Sequence, residues 1–468
     1  MPHAQHACEL LPYQEEAVDW CMKHESSCAI LAYDMGLGKT VITCALLSRK
    51  PQKTLVIAPS CILQQWADEL EKYTAHTAQK VMIYHGANRK QAAKHLEASD
   101  IIVTTSHVLA NDIAYAQQSE NSTIDLFLRS VKRWVIDEAH QLRNNKCKVF
   151  SMLYAYAPNV ENKIFLTGTP VCNYATDVIS LICLSNYAPY NDLRVWKHMR
   201  YNKRISLLAE IIENVLLRKT KASTIASQLP KCNVLSINLQ MPVPGEQIRT
   251  YNQSMYDENI LRRILRMRQS LNNHVHLSDS DTDHHEVAVK IAAVHKLIDE
   301  IPKTDKIIIF SYFTSLLTDL YDSMEVPNKT QHIHMYHGEM NVKSRNKTIN
   351  TFKTNPESRI LLINLRAGGC GLNLTEANHV ILMEPYWNES EQDQAINRVY
   401  RMGQTKEMFV YRLQVENSIE TWLRSLQKVK TSIFKMLVDR EEITVEDVVE
   451  QKQVVCNLFR ELIIKESS

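Results

Sequence analysis

An excess of charge of either sign is the first thing this sequence lacks. Its 54 Lys and Arg face 52 Asp and Glu, giving a formal net charge of +2 and a pI near 7.9. Bulk charge therefore does not announce a nucleic-acid binder, and any basic surface must be local. Long apolar runs are also missing. LVIAP after Lys53 and KIIIF from Lys306 are strand-sized and far short of a bilayer. The start MPHAQHACELLPYQEE has no basic stretch followed by an apolar core, so no secretory leader is expected. The eleven cysteines, among them Cys8, Cys44, Cys172 and Cys370, stand singly without a Cys-x-x-Cys pair. Reduced, mostly buried thiols in an intracellular protein are expected rather than disulfides or zinc. His332, His334 and His337 are read as core or surface histidines, not as ligands. No short-period repeat or low-complexity tract is present.

What is there is a globular composition, 45% hydrophobic over 468 residues, long enough for two or three domains. Two stretches share one rhythm of short β-branched runs alternating with helical patterns. TLVIAP (Thr54–Pro59), DIIVTT (Asp100–Thr105), RWVID (Arg133–Asp137) and KIFLTG (Lys163–Gly168) form the first set. KIIIFS (Lys306–Ser311), HIHMYHG (His332–Gly338), RILLIN (Arg359–Asn364) and HVILME (His379–Glu384) form the second. Continuous apolar strands separated by helices predict an α/β fold with parallel sheets covered on both faces. One such domain is expected at 1–190 and another at 290–425. The Arg- and Lys-rich segment 191–289 reads as a helical linker, with a hinge at Leu277–Glu286, and 426–468 as a helical tail.

DMGLGKT (Asp34–Thr40) follows the apolar run CAILAY and opens the helical run VITCALL. Glycines at 36 and 38 let backbone N–H groups face a phosphate, and the helix N-terminus adds its positive end. Lys39 is placed to reach the β and γ phosphates, and the Thr40 hydroxyl to hold Mg²⁺. The strict phosphate-loop pattern has a glycine where this chain has Tyr33. RWVIDEAH then ends an apolar strand in Asp137 and Glu138, where α/β sheets put their ligands. Asp137 suits the metal and Glu138 the attacking water. Thr167 and Thr169 in LTGTP follow a third strand, where they can sense the site.

The order of these motifs resembles helicases of superfamily two, and more narrowly the Swi/Snf-type ATPases. The residues that carry the resemblance are Tyr13–Gln14, DMGLGKT, IAPSCILQQWADEL (Ile57–Leu70), DEAHQLRNN (Asp137–Asn145), LTGTPVCN (Leu166–Asn173) and LLRKTK (Leu216–Lys221). FSYFTS (Phe310–Ser315), NLRAGGCGLNL (Asn364–Leu374), EPYWNESEQDQA (Glu384–Ala395) and NRVYRMGQTK (Asn397–Lys406) continue it. The match spans about Leu10 to Trp422 in the family's order. It implies two tandem RecA-like lobes hydrolysing ATP with Mg²⁺. Gln14 would read the adenine, and Asp34, Met35, Gly36, Leu37, Gly38, Lys39 and Thr40 would hold the triphosphate. Gly369 and Gly371 would complete the nucleotide site. Arg398 and Arg401 match two arginines that act on the transferred phosphate, a contribution worth roughly 10³–10⁵ in rate.

The family also implies a duplex DNA track, gripped through its phosphates without sequence preference. Candidate contacts are Ser60, Gln64, Gln65, Ser106, Asn144 and Asn145 in the first half. Ser311, Arg366, Gly368 and Gly369 are those in the second. Arg218, Lys219 and Lys221 read as a brace rather than a track. Tyr33 replaces one of two acidic residues usual before MGLGKT, and Asn397 replaces a glycine before the first arginine; neither substitution removes a ligand. The compact form is similar to the small viral members described as global transactivators. A monomeric motor acting with chromatin or transcription proteins in the nucleus is expected, without a membrane. A conventional unwinding helicase and a non-catalytic transcription scaffold are the alternatives. The intact set Lys39, Asp137, Glu138, Arg398 and Arg401 argues against the scaffold.

Overall fold

The computed structural model describes residues 10–463 except 75–78, 87–88, 119–122, 172–173, 175, 258, 273–286, 325–331, 368–371 and 440–444. The chain forms two compact units, Met1–Ala226 with Ile433–Glu442, and Ser227–Ser432 with Ile443–Ser468.

The first unit is built on seven strands: β1 (Ala29–Tyr33), β2 (Thr54–Ile57), β3 (Val81–Ile83), β4 (Ile101–Thr104), β5 (Arg133–Ile136), β6 (Asn162–Leu166) and β7 (Leu216–Lys219). Their order is β3-β4-β2-β5-β6-β1-β7, and every pairing is parallel. All residues of β1, β2, β4, β5 and β6 are buried. The continuous Val, Ile and Leu runs are what a sheet with both faces covered demands. Helices α1 (Pro12–His24), α2 (Lys39–Arg49) and α3 (Leu63–Thr74) lie at the start of this unit.

The second unit carries β8 (Cys232–Leu239), β9 (Ile307–Ser311), β10 (Ile333–Tyr336), β11 (Ile360–Asn364), β12 (His379–Leu382) and β13 (Met408–Val415), in the order β10-β11-β9-β12-β13-β8, again all parallel. Alternate strand residues feed two separate cores. Ile307, Ile309, Leu362 and Ile381 pack with Val294, Leu316 and Leu320 on one face. Ile308, Phe310, Leu361, Ile363, Val380 and Leu382 pack with Ile349, Phe352 and Ala395 on the other. The period of two along a strand makes this division. No helix among the described residues is long and apolar enough to cross a membrane.

Three features depart from the sequence reading. The segment 191–289, expected to be a helical linker, contains β7 and β8. Leu216–Lys219 is made of good helix formers, yet it pairs with Ile30–Tyr33 and closes that sheet edge, so sheet pairing overrides local propensity. Cys232–Leu239 pairs with all eight residues of β13. The thiols are not all reduced. Seven described cysteines are free, but Cys61, exposed in the turn after β2, is disulfide-bonded. The expected hinge Leu277–Glu286 lies outside the described residues.

Candidate functional site: the phosphate loop and the acidic pair

Strand order explains why the first unit's motifs converge. β6 lies between β1 and β5, so the loops at their C-terminal ends are neighbours on one edge of the sheet. The loop after β1 is the glycine loop, that after β5 carries Asp137 and Glu138, and that after β6 carries Thr167 between them.

Gly36 and Gly38 adopt positive φ of 89° and 82°, the left-handed region that side chains rarely occupy. Gly38 is also the N-cap of α2. A Cβ there would lie 2.5 Å from Gln14 Nε2. Gln14 itself is buried. Its Nε2 donates to the Leu37 carbonyl at 3.3 Å, and its Oε1 accepts from Leu11 N–H at 3.0 Å. The sequence-predicted Gln14 is thus in direct contact with the loop. Lys39 Nζ donates to the Tyr33 and Asp34 carbonyls at 2.7 and 3.4 Å. Burial lowers its pKa, while Glu138, Asp137 and Asp34 oppose that shift and show that the ammonium sits in their field. Tyr33, standing where the strict pattern has glycine, is wholly buried and donates its hydroxyl proton to the Tyr13 carbonyl at 3.0 Å. Met35 flanks the Gly168 position, where a Cβ would meet Met35 Cγ at 3.3 Å. Thr40 lies in the first turn of α2.

Asp34 behaves differently from a free phosphate-loop side chain. Its Oδ1 pairs with Arg218 at 2.8 Å, and its Oδ2 accepts from Lys221 N–H at 2.9 Å. Both carboxylate oxygens are therefore occupied by β7 and the turn after it.

Asp137 accepts two hydrogen bonds, from Trp66 Nε1 at 2.9 Å and from Glu138 N–H at 2.8 Å. Burial and the neighbouring Glu138 carboxylate push its pKa up to about 6. Glu138 has φ 47° and ψ 45°, a left-handed backbone that a non-glycine residue adopts at a cost of about 1–3 kcal/mol. His140 Nδ1 lies 3.4 Å from Glu138 Oε2 and 3.1 Å from Thr167 Oγ1. Thr167 is wholly buried and accepts from Thr169 N–H at 3.1 Å. Trp66 and His140 were not singled out from the sequence, though both stand inside quoted motifs. Two adjacent carboxylates, one of them with its ionised form disfavoured by burial, make a donor set that a hard divalent cation would satisfy, so these residues fit Mg²⁺.

The sequence-predicted track residues sort by exposure. Ser60, Gln64, Gln65, Asn144 and Asn145 are exposed and Ser106 half-buried, all in or near loops at the same sheet edge. Gln64 Nε2 donates to Asp68 at 2.8 Å, and Asn144 Oδ1 accepts from Lys146 N–H at 3.1 Å. In the second unit Arg366 is exposed. The expectation for Ser311 is corrected. Ser311 is fully buried and donates its hydroxyl to Glu384 at 2.9 Å, so it props up a buried carboxylate and has no path to a phosphate. Gly368, Gly369 and Gly371 lie outside the described residues.

Arg398 and Arg401 occupy the turn after the helix Glu389–Ile396. Gln404, overlooked in the sequence, pins that turn. Its Nε2 donates to the carbonyls of Ala377, Thr375 and Val399 at 2.7, 3.2 and 3.3 Å. Gly403 follows the second arginine with φ 99°. Arg398 is nearly buried, and burial lowers the pKa of Arg401, whose Nε has no hydrogen-bond partner.

With this geometry in place, comparison with known families is decisive. The SNF2-related domain model matches residues 13–288, and the helicase conserved C-terminal domain model matches 289–403. The chain belongs to the SNF2-related family. The class of chemistry comes with that membership: nucleic-acid-dependent ATP hydrolysis of the Swi/Snf type. Among this SNF2-related chain's relatives, a probable global transactivator of Orgyia pseudotsugata multicapsid polyhedrosis virus is 27% identical, covering 94% of each chain. An uncharacterized ATP-dependent helicase, MG018, of Mycoplasma genitalium is 28% identical over 91% of this chain and 42% of that protein. The ISWI chromatin-remodeling complex ATPase ISW1 of Saccharomyces cerevisiae is 27% identical over 90% of this chain and 40% of its own. The chain thus spans nearly all of its viral relative and less than half of the other two. A solved Sulfolobus solfataricus SWI2/SNF2 ATPase core in complex with dsDNA is 26% identical, covers 98% of both chains and has a TM-score of 0.41.

Proposed function

We propose that this SNF2-related ATPase translocates on duplex DNA, without sequence preference and without needing to separate the strands. The observation that carries this reading is the single sheet edge in the first unit, where the glycine loop, Lys39 and the Asp137–Glu138 pair meet beside loops bearing Ser60, Gln64, Ser106 and Asn144. ATP chemistry and backbone contact would then share one rigid support.

In the reaction, backbone N–H groups of Gly36–Thr40 and the Lys39 ammonium hold the β and γ phosphates, and the helix N-terminus favours their charge. Mg²⁺, held by Thr40 and Asp137, would neutralise charge on the phosphates. Glu138 orients the attacking water and takes its proton, with His140 beside it to fix the carboxylate. Trp66 fixes the Asp137 carboxylate through its indole N–H. Arg398 and Arg401 are assigned to stabilise charge on the transferred phosphoryl group. Ser60, Gln64, Ser106, Asn144 and Arg366 are assigned to the DNA backbone, which they recognise without reading bases. The names of the relatives support an action in transcription or chromatin regulation, and hence a nuclear site of action.

ATP-dependent displacement of a third strand from a triplex tests translocation directly. The native chain should displace it from duplexes of unrelated sequence, and Lys39→Ala should not. Displacement equal in both proteins, or unwinding of a plain duplex at the same rate, would overturn the reading.

A further inference from the structure

The phosphate loop is anchored by a part of the chain that lies far from it in sequence. Arg218, in β7, donates through Nη1 to the Ala32 carbonyl at 2.8 Å and pairs with Asp34 Oδ1 at 2.8 Å. Its Nε donates to Asp439 Oδ1 at 3.2 Å, and its guanidinium lies 5.4 Å from the centre of the Phe434 ring. Phe434 and Asp439 belong to the segment Ile433–Glu442, which is part of the first unit although the chain has passed through the second unit to reach it. One guanidinium therefore has the loop's first residue on one side and a C-terminal aromatic and carboxylate on the other.

Asp34 is well placed to transmit that anchoring. Its N–H donates to the Lys219 carbonyl, and its own carbonyl accepts from Leu37 N–H and from the Lys39 ammonium. Both oxygens of its carboxylate already have a partner, Arg218 on one and Lys221 N–H on the other. The residue is thus a hinge pin for the glycine loop rather than a ligand. Arg218 is only 16% exposed, so its charge-assisted bonds act in a partly water-excluded setting. The two carboxylates also cannot both be satisfied once the guanidinium is gone.

We infer that Arg218 is a positioning residue for the ATP phosphate loop, and that Phe434 and Asp439 of the C-terminal segment hold it in register. The segment Ile433–Glu442, which lies in the chain between two stretches of the second unit, is then a working part of the nucleotide site. The inference rests on the first unit being the ATP-binding one.

The test uses the full chain and follows both ATP hydrolysis and binding of a fluorescent ATP analogue. Arg218→Ala and Asp34→Asn should each weaken nucleotide affinity roughly tenfold, the worth of one charge-assisted bond. The double variant should be no weaker than either single one, because the two side chains act as a unit. Asp439→Asn and Phe434→Ala should raise the KM for ATP by smaller factors while kcat at saturating ATP is kept. Arg218→Lys should fall between native and Arg218→Ala, since a lysine keeps the charge without the fork. Asp439→Asn and Phe434→Ala keep the test open should Arg218→Ala fail to fold. A merely structural role would lower kcat with the active fraction and leave KM unchanged, and that pattern overturns the inference. So do additive effects of Arg218→Ala and Asp34→Asn. A native chain that binds no nucleotide overturns it as well, but there the ATPase reading fails first and visibly.

Discussion

Asp137 shows how the smallest scale sets the chemistry. A half-buried carboxylate next to another carboxylate resists ionisation, and the Trp66 indole opposes that resistance with a 2.9 Å hydrogen bond. Trp66→Phe keeps the ring in the core and deletes the N–H alone. It should lower kcat roughly tenfold with little change in ATP KM, the loss of one hydrogen bond to a charged group. Steady-state kinetics check this, and an unchanged kcat would remove Trp66 from the site. Asp137 and Glu138 were legible because an apolar strand delivers them together. Trp66 lies 71 positions away, and nothing local says that its indole ends on Asp137. Ser311 failed for a related reason. A serine at a strand end looks like a surface donor until the buried Glu384 opposite it is known.

At the scale of elements, the uncharged Gln404 ties the turn carrying Arg398 and Arg401 to the chain just before β12. The Gln404 side-chain amide donates to the carbonyls of Thr375, Ala377 and Val399, and burial makes that amide costly to lose. Gln404→Ala should leave nucleotide affinity near native and cut kcat roughly tenfold or more, because misplacing a guanidinium costs transition-state stabilisation rather than binding. A change confined to KM would contradict that assignment. The strands were mostly legible as elements, since five- and six-residue apolar runs between turn residues can hardly be anything else. β7 and β8 were not. Leu216–Lys219 carries helix-forming residues and becomes a strand only because β1 offers an open edge. That pairing also puts Arg218 beside Asp34, so the misread element carries a functional consequence.

For the whole molecule, near-neutral charge puts the weight on internal pairs. Asp305 in the second unit illustrates their pH dependence. Burial alone would raise it, but hydrogen bonds from Lys406, Asn378 and His379 outweigh that and hold its pKa down to about 2. A carboxylate depressed on folding stabilises the native state above its unfolded value of roughly 3.9. That contribution is lost as pH falls from there towards 2. The urea midpoint of the second unit should therefore drop between about pH 4 and 2, and Asp305→Asn should flatten the drop. An identical pH dependence in the variant would contradict this. Tandem parallel sheets were legible in the sequence because each repeats the same alternation of buried strand and helix. The division into units was harder to see, because Ile433–Glu442 rejoins the first through a few side chains.

The proposed motor hydrolyses ATP at Lys39, Asp137 and Glu138 when driven by duplex DNA. The most direct measurement is the ATPase rate of the native chain alone and with duplex DNA, single-stranded DNA or RNA, with Glu138→Gln as the blank. Stimulation chiefly by duplex DNA of any sequence, abolished in Glu138→Gln, is the predicted result. Stimulation chiefly by single strands or RNA would contradict the duplex track, and no hydrolysis above Glu138→Gln would contradict the motor itself.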